Sequence, residues 1–140
     1  MKVFMQLFTA IHVFIYRLSG GRLGGKMGTG QVLLLDSIGR KSKKARTNPV
    51  MFIRDKSNYV VTASAGGRPS NPGWYYNLVA NPSTRIQVMG QVLDVAVEEA
   101  RGEKREQLWA QLTRQQPNFK AYETRTTRKI PMLILKPKNN

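Results

Sequence analysis

The chain has no cysteine. A disulfide framework, a thiol nucleophile and a cysteine-ligated metal are therefore excluded, and the absence fits a cytoplasmic protein. Histidine is limited to His12. A single imidazole argues against the usual histidine-rich metal site and against a Ser-His-Asp triad, so no metal ligand is assigned. Acidic side chains are few: 8 Asp and Glu stand against 23 Lys and Arg, a formal net charge of +15. That imbalance favours an anionic partner, be it nucleic acid, a membrane surface or a polyanionic ligand. No helix-turn-helix, RNP aromatic pattern or zinc spacing is present, so no specific nucleic-acid partner is expected. Repeats and low-complexity tracts are lacking too. With 140 residues and ordinary apolar content, one domain with a real core is expected.

The excess of positive charge is concentrated. Five of the seven residues from Arg40 to Arg46 are basic: Arg40, Lys41, Lys43, Lys44 and Arg46. They lie between two apolar runs, Val32 to Leu35 and Val50 to Ile53, that read as strands. The basic segment is then the loop joining them. Such a loop is either a solvated turn or a seat for a multiply charged anion. Arginine offers a planar fork, lysine a mobile point charge, and Ser42 a hydroxyl.

Ahead of this lies an apolar segment, Val3 to Leu18, interrupted only by Gln6, Thr9, His12, Tyr16 and Arg17. The first four interruptions fall at helical spacing and form one narrow polar stripe. Such a helix is about 24 Å long, short of the roughly 30 Å hydrocarbon core of a bilayer. Lys2, Arg17, Arg22 and Lys26 flank it, and no small-residue cleavage site follows. Two compatible readings stand: the helix packs on the domain, or residues 1–18 lie in a membrane interface where basic flanks meet anionic lipid. Ser19 to Gly30 carries six glycines and reads as a flexible linker without the ending of a P-loop. The expected division is an apolar helix and linker over 1–30 and a single domain over 31–140.

The rest alternates strand and helix signals. Strands are predicted over 32–36, 47–54 and 59–64, with a hairpin over 84–88 and 92–97 and a last strand over 130–135 that Pro131 places at an edge or a strand start. Asn71 before Pro72 predicts a helix start with Asn71 as cap, running to about Ala80. The backbone amides behind Gly66-Gly67 and at that helix start suit an anion or a ring carbonyl, and Trp74 suits a flat ring. Trp74 and Leu78, four apart, equally suit a core. A helix is predicted over 98–116, with residues 103–106 exposed and Leu108, Trp109 and Leu112 inward. Pro117 ends it, and Phe119, Tyr122 and Arg125 share a face of a short helix. Five or six antiparallel strands with inserted helices make the chain mainly β with helices (α+β), closing as a small barrel.

Four motifs recur in order: Gly39-Arg40-Lys41-Ser42, Arg46-Thr47-Asn48-Pro49, Ala63-Ser64-x-Gly66-Gly67, and Asn71-Pro72-x-Trp74-Tyr75-x-Asn77-Leu78-x-Ala80-Asn81-Pro82. Together they resemble the deazaflavin-dependent nitroreductase family. The stretch from Tyr16 to Gly25 and the pattern Pro117-x-Phe119-x-x-Tyr122 extend the resemblance over nearly the whole chain.

The resemblance implies a split β-barrel of the flavin-reductase, FMN-binding-like type that binds coenzyme F-420, an 8-hydroxy-5-deazaflavin with a phosphate and an oligoglutamate tail. By that resemblance Arg40, Lys41, Ser42 and Arg46 hold the anionic tail. Asn48, Pro49, Thr62, Ala63, Ser64, Ala65, Trp74, Tyr75 and Asn77 line the deazaflavin. Ser64, Phe119 and Tyr122 position the acceptor. No catalytic residue is assigned with certainty, because the coenzyme carries the hydride. Ser64 and Tyr122 are the candidate proton donors. The implied activity is hydride transfer from reduced F-420 to a lipophilic acceptor such as a quinone or nitro compound. A non-catalytic binding protein for the coenzyme, or for a lipid or fatty acid, is the alternative. Flavin mononucleotide is the rival cofactor, less suited to so many cations. Ala65, Phe119 and Gln116 depart from lysine, tyrosine and an aromatic found in the family, which weighs against activation of nitroimidazole prodrugs. A monomer or homodimer is expected, cytoplasmic and peripheral on the inner membrane face through residues 1–18.

Overall fold

The structure, a computed structural model, describes residues 2–27 and 30–138, with residues 2–5 and 27 as backbone only. Helix α1 (Lys2–Ser19) is followed by strands β1 (Lys26–Met27), β2 (Gly30–Ile38), β3 (Ala45–Asp55) and β4 (Asn58–Thr62). A 3-10 turn (Ala65–Gly67) and helix α2 (Gly73–Ala80) lead to the hairpin β5 (Ser83–Val88) and β6 (Gln91–Glu99). Helices α3 (Gly102–Gln115) and α4 (Asn118–Thr124) precede the last strand, β7 (Met132–Pro137).

The strands pair antiparallel in the order β1-β2-β3-β4-β7-β6-β5, and β2 also pairs with β5 through Leu34↔Gln87 and Leu35↔Ile86. That last pairing closes six strands into a barrel and removes their open edges. The mainly β architecture expected from the sequence is what forms.

The continuous apolar run in β2 has a physical reason: the strand is covered on both faces. Leu33 and Leu35 point into the barrel with Phe52, Val61, Ile86, Val95 and Leu135. Val32 and Leu34 point outward and are covered by Tyr16 and Val13 of α1. A third cluster forms outside the barrel, where Ile53, Val60 and Ile134 meet Leu108, Trp109, Leu112 and Phe119.

Several expectations change. The helix predicted from residue 98 begins only at Gly102, because Glu98 and Glu99 continue β6 and pair with Ile134 and Leu133 of β7. Arg105, expected at the exposed face of that helix, is buried; its Nη2 donates to the Ile130 carbonyl at 2.6 Å, and its guanidinium lies over Trp109. Asn71 does not cap α2. The N-cap position is Pro72, and the Asn71 side-chain oxygen Oδ1 accepts from Arg128 Nη1. The glycines after α1 form close-packed turns: a Cβ at Gly25 would sit 2.1 Å from the Gly21 carbonyl oxygen, and one at Gly21 would meet the Met89 Cα at 2.6 Å. Gly28 and Thr29 of the expected linker lie outside the described residues. Pro131 marks the start of β7, which runs inside the sheet between β4 and β6.

The polar stripe of α1 faces inward from Thr9 to Tyr16, while Gln6 is exposed. Tyr16 is fully buried, and His12 Nε2 lies 2.7 Å from the Gly24 carbonyl oxygen. The apolar side faces out: Phe8 is 62% exposed, Phe14 65% and Leu18 77%. Among the described residues no helix is long and apolar enough to cross a membrane.

Candidate active site

The loop joining β2 to β3 is a tight basic turn. Gly39 N–H donates to the Lys44 carbonyl, and Lys43 N–H donates to the Gly39 carbonyl, both at 2.8 Å. Lys43 takes φ 61°, and a Cβ at Gly39 would sit 2.4 Å from Ser42 Oγ. This packing turns Arg40, Lys41 and Arg46 toward the same space. Helix α2 holds the base of the turn: buried Asn77 accepts from the Arg40 backbone N–H at 3.1 Å and donates to Ser37 Oγ at 3.1 Å. The Arg40 guanidinium lies 4.9 Å from the Tyr76 ring centroid.

These groups border an open cleft of about 980 Å³. Its wall includes Arg40, Lys41, Ser42, Arg46, Asn48, Ala65, Trp74 and Asn77, together with Arg68 and Asn71. Four cations and no carboxylate line it. Such a donor set suits a ligand bearing several negative charges. A Cβ added at Gly66 or Gly73 would meet nothing within 4 Å, so both present bare backbone to the opening.

A smaller pocket of about 210 Å³ adjoins the cleft and is lined by Pro49, Thr62, Ser64, Phe119 and Tyr122, with Val50 and Met51. Ala65, Gly66, Pro72 and Trp74 border both spaces. Phe119 and Tyr122 meet edge to face with centroids 5.2 Å apart. The Tyr122 hydroxyl accepts from Asn118 Nδ2 at 3.5 Å.

Of the residues assigned from sequence, all border one of these spaces except Ala63 and Tyr75. Ala63 is fully buried beneath the wall, its N–H donating to the Pro131 carbonyl at 2.9 Å. Tyr75 packs against the barrel core and donates to Glu99 at 2.8 Å. Burial and the Glu99 carboxylate push its pKa up to about 12. The assignment missed Arg68 and Asn71 in the cleft and Val50 and Met51 in the pocket. The position of Arg68 directly after the glycine pair was the available signal. No group of metal-ligating side chains occurs among the described residues.

A cationic cleft opening onto an aromatic pocket at the mouth of a small barrel fits a polyanionic coenzyme with a flat ring. The family described as F420H(2)-dependent quinone reductase matches residues 8–137. This chain belongs to that family. It is therefore an oxidoreductase that uses coenzyme F-420, as the motifs implied. The chain is 35% identical over 129 residues to an F420H(2)-dependent quinone reductase of Mycobacterium tuberculosis (strain H37Rv), covering 89% of this chain and 87% of the relative. A solved F420-H2 dependent reductase superposes with a TM-score of 0.69 at 37% identity, over 75% of this chain and 93% of the other. Another solved structure, described as a domain-swapped dimer, gives 0.72 at 32% identity over 91% and 96%. A heme storage protein from Vibrio cholerae, at 13% identity and a TM-score of 0.56 over 78% of this chain and 82% of the other, shares the fold alone.

Proposed function

We propose that F-420 lies in the cleft with its anionic tail on Arg40, Lys41, Ser42, Arg46 and Arg68, its ring against Trp74, and the quinone in the pocket of Ser64, Phe119 and Tyr122. The observation that carries this reading is the continuity of the two spaces through Ala65, Gly66, Pro72 and Trp74. The coenzyme supplies a hydride when bound. The chain's own task is to hold an acceptor at reacting distance and to exclude water with its aromatic wall. Quinone reduction consumes one proton with each hydride. The Tyr122 hydroxyl already accepts from Asn118, which leaves its own proton to donate into the pocket. Ser64 is the second candidate for that role. Non-catalytic storage is not favoured, because the family and the relative above are reductases.

The outward apolar face of α1 supports a peripheral seat on the inner face of the cell membrane. Phe8, Ile11, Phe14 and Leu18 form that face, and Arg17, Arg22 and Lys26 flank its end in the sequence. This suits an acceptor dissolved in lipid and cations drawn to anionic headgroups. A second copy of the chain is the rival occupant of that face.

Titration of purified protein with F-420 and with flavin mononucleotide, read by tryptophan fluorescence, tests the cofactor site. Selective binding of F-420, followed by turnover with a menaquinone, is expected. Preference for flavin mononucleotide would overturn the reading. Flotation with anionic vesicles tests the seat. Wild type is expected to float, and Phe8→Ser with Phe14→Ser to stay behind. A dimer that ignores vesicles would refute it.

A further inference from the structure

Arg128, between α4 and β7, borders neither the cleft nor the pocket, yet its guanidinium joins three strips of their wall. Nη2 donates to the carbonyls of Ser64 at 2.8 Å and Ala63 at 3.2 Å. Nε donates to the Arg68 carbonyl at 2.9 Å, and Nη1 to Asn71 Oδ1. The backbone N–H of Arg128 is itself held by Thr126 Oγ1 at 3.2 Å. Only a planar fork with several fixed donors reaches these acceptors together; a lysine ammonium does not.

The segment so gripped needs holding. Ala65, Gly66 and Gly67 take φ values of 49°, 65° and 81°, three left-handed residues in a row, and Ala65 has a Cβ that disfavours this region. The local backbone bonds of the turn run only from Gly67 to Ser64 and from Arg68 to Ala65. Gly67 lies tight against α4, where a Cβ would meet the Tyr122 carbonyl oxygen at 2.9 Å. Burial pulls the Arg128 pKa below the ordinary arginine value, opposed by Tyr76. Its partners here are carbonyl and amide oxygens.

We propose that Arg128 is a positioning residue: its guanidinium fixes segment 63–71, so that the Ser64–Gly66 and Asn71–Trp74 walls together hold one ring-sized slot. This rests on the reading of the cleft as the coenzyme site.

Arg128→Ala and Arg128→Lys test it by two measurements. In ligand-free protein, amide hydrogen exchange over 64–71 is expected to accelerate about tenfold or more in both variants, with the barrel strands unchanged. Coenzyme affinity is expected to fall roughly tenfold, the scale of one lost charge-assisted contact. Millimolar guanidinium should restore part of both properties to Arg128→Ala. Unchanged exchange over 64–71, or an affinity within about twofold of wild type, would overturn the proposal. If Arg128→Ala fails to fold, Arg128→Lys decides, since it keeps charge and stem and loses only the fork. Wild-type protein that takes no F-420 would refute the cofactor reading, while the exchange measurement still decides the clamp.

Discussion

The Asn77 side-chain carbonyl accepts the Arg40 backbone N–H at 3.1 Å, while its amide donates to Ser37 Oγ at 3.1 Å. One buried amide thus fixes the start of the basic turn relative to α2, the helix that carries Trp74. Asn77→Leu removes both bonds, together with the longer one from Arg40 Nη1 at 3.5 Å, and takes a partner from the Arg40 N–H and the Ser37 hydroxyl. A loss of about 1–3 kcal/mol in urea unfolding is expected, with weaker coenzyme binding. Unchanged binding alongside lowered stability would show that the turn finds its shape without α2.

The cations of the turn predict a salt signature. Arg40, Lys41, Arg46 and Arg68 line the cleft with no carboxylate among them. Their attraction for a tail of several charges is screened over about 10 Å at 0.1 M ionic strength. F-420 affinity should therefore fall steeply with added salt, and the affinity for flavin mononucleotide much less. Arg40→Ala and Lys41→Ala should each flatten the F-420 slope. Equal slopes for both cofactors would remove the tail from the argument.

Tyr75 predicts a pH dependence. Its pKa is raised to about 12 by burial and by the Glu99 carboxylate that its hydroxyl meets. An unfolded tyrosine titrates near pH 10. Below that pH both states keep the proton and the contribution to stability is complete. Above it the unfolded chain loses its proton first, so stability declines between about pH 10 and 12. Urea unfolding across that range should show a shallower decline in Tyr75→Phe. Parallel curves for the two proteins would contradict the assignment.

What was legible in the sequence was local. The basic turn, the strands beside it and the Phe119–Tyr122 face each declare themselves within a few residues, and the structure keeps them. The burial of Arg105 was hidden, because its partner is the Ile130 carbonyl, 25 positions away. The grip of Arg128 on Ala63, Ser64, Arg68 and Asn71 leaves no spacing pattern either, and it explains why Asn71 abandons its expected cap. For α1 the periodicity revealed a polar stripe and an apolar face. Which of them turns inward depends on the acceptors that β2 and the β5–β6 turn offer, and no local pattern encodes those.

Those acceptors make Tyr16 the residue that orients α1. Its hydroxyl donates toward the Val32 carbonyl at 3.0 Å and the Gln87 carbonyl at 3.3 Å, and accepts from the Met89 N–H at 2.7 Å. The ring itself is fully buried with Val32 and Leu34. Tyr16→Phe keeps the ring and removes the hydroxyl. It leaves the Met89 N–H unpaired at a turn where Met89 already has φ 55°. A loss of about 1–3 kcal/mol is expected, as for other buried polar groups stripped of a partner. Because the ring still fills its site, α1 should stay attached and vesicle flotation should persist. Tyr16→Ala, which also empties the site, should release the helix from β2 and increase proteolysis near Ser19. Release of α1 in both variants would show that the hydroxyl, and not only the ring, is needed to keep the helix attached to β2.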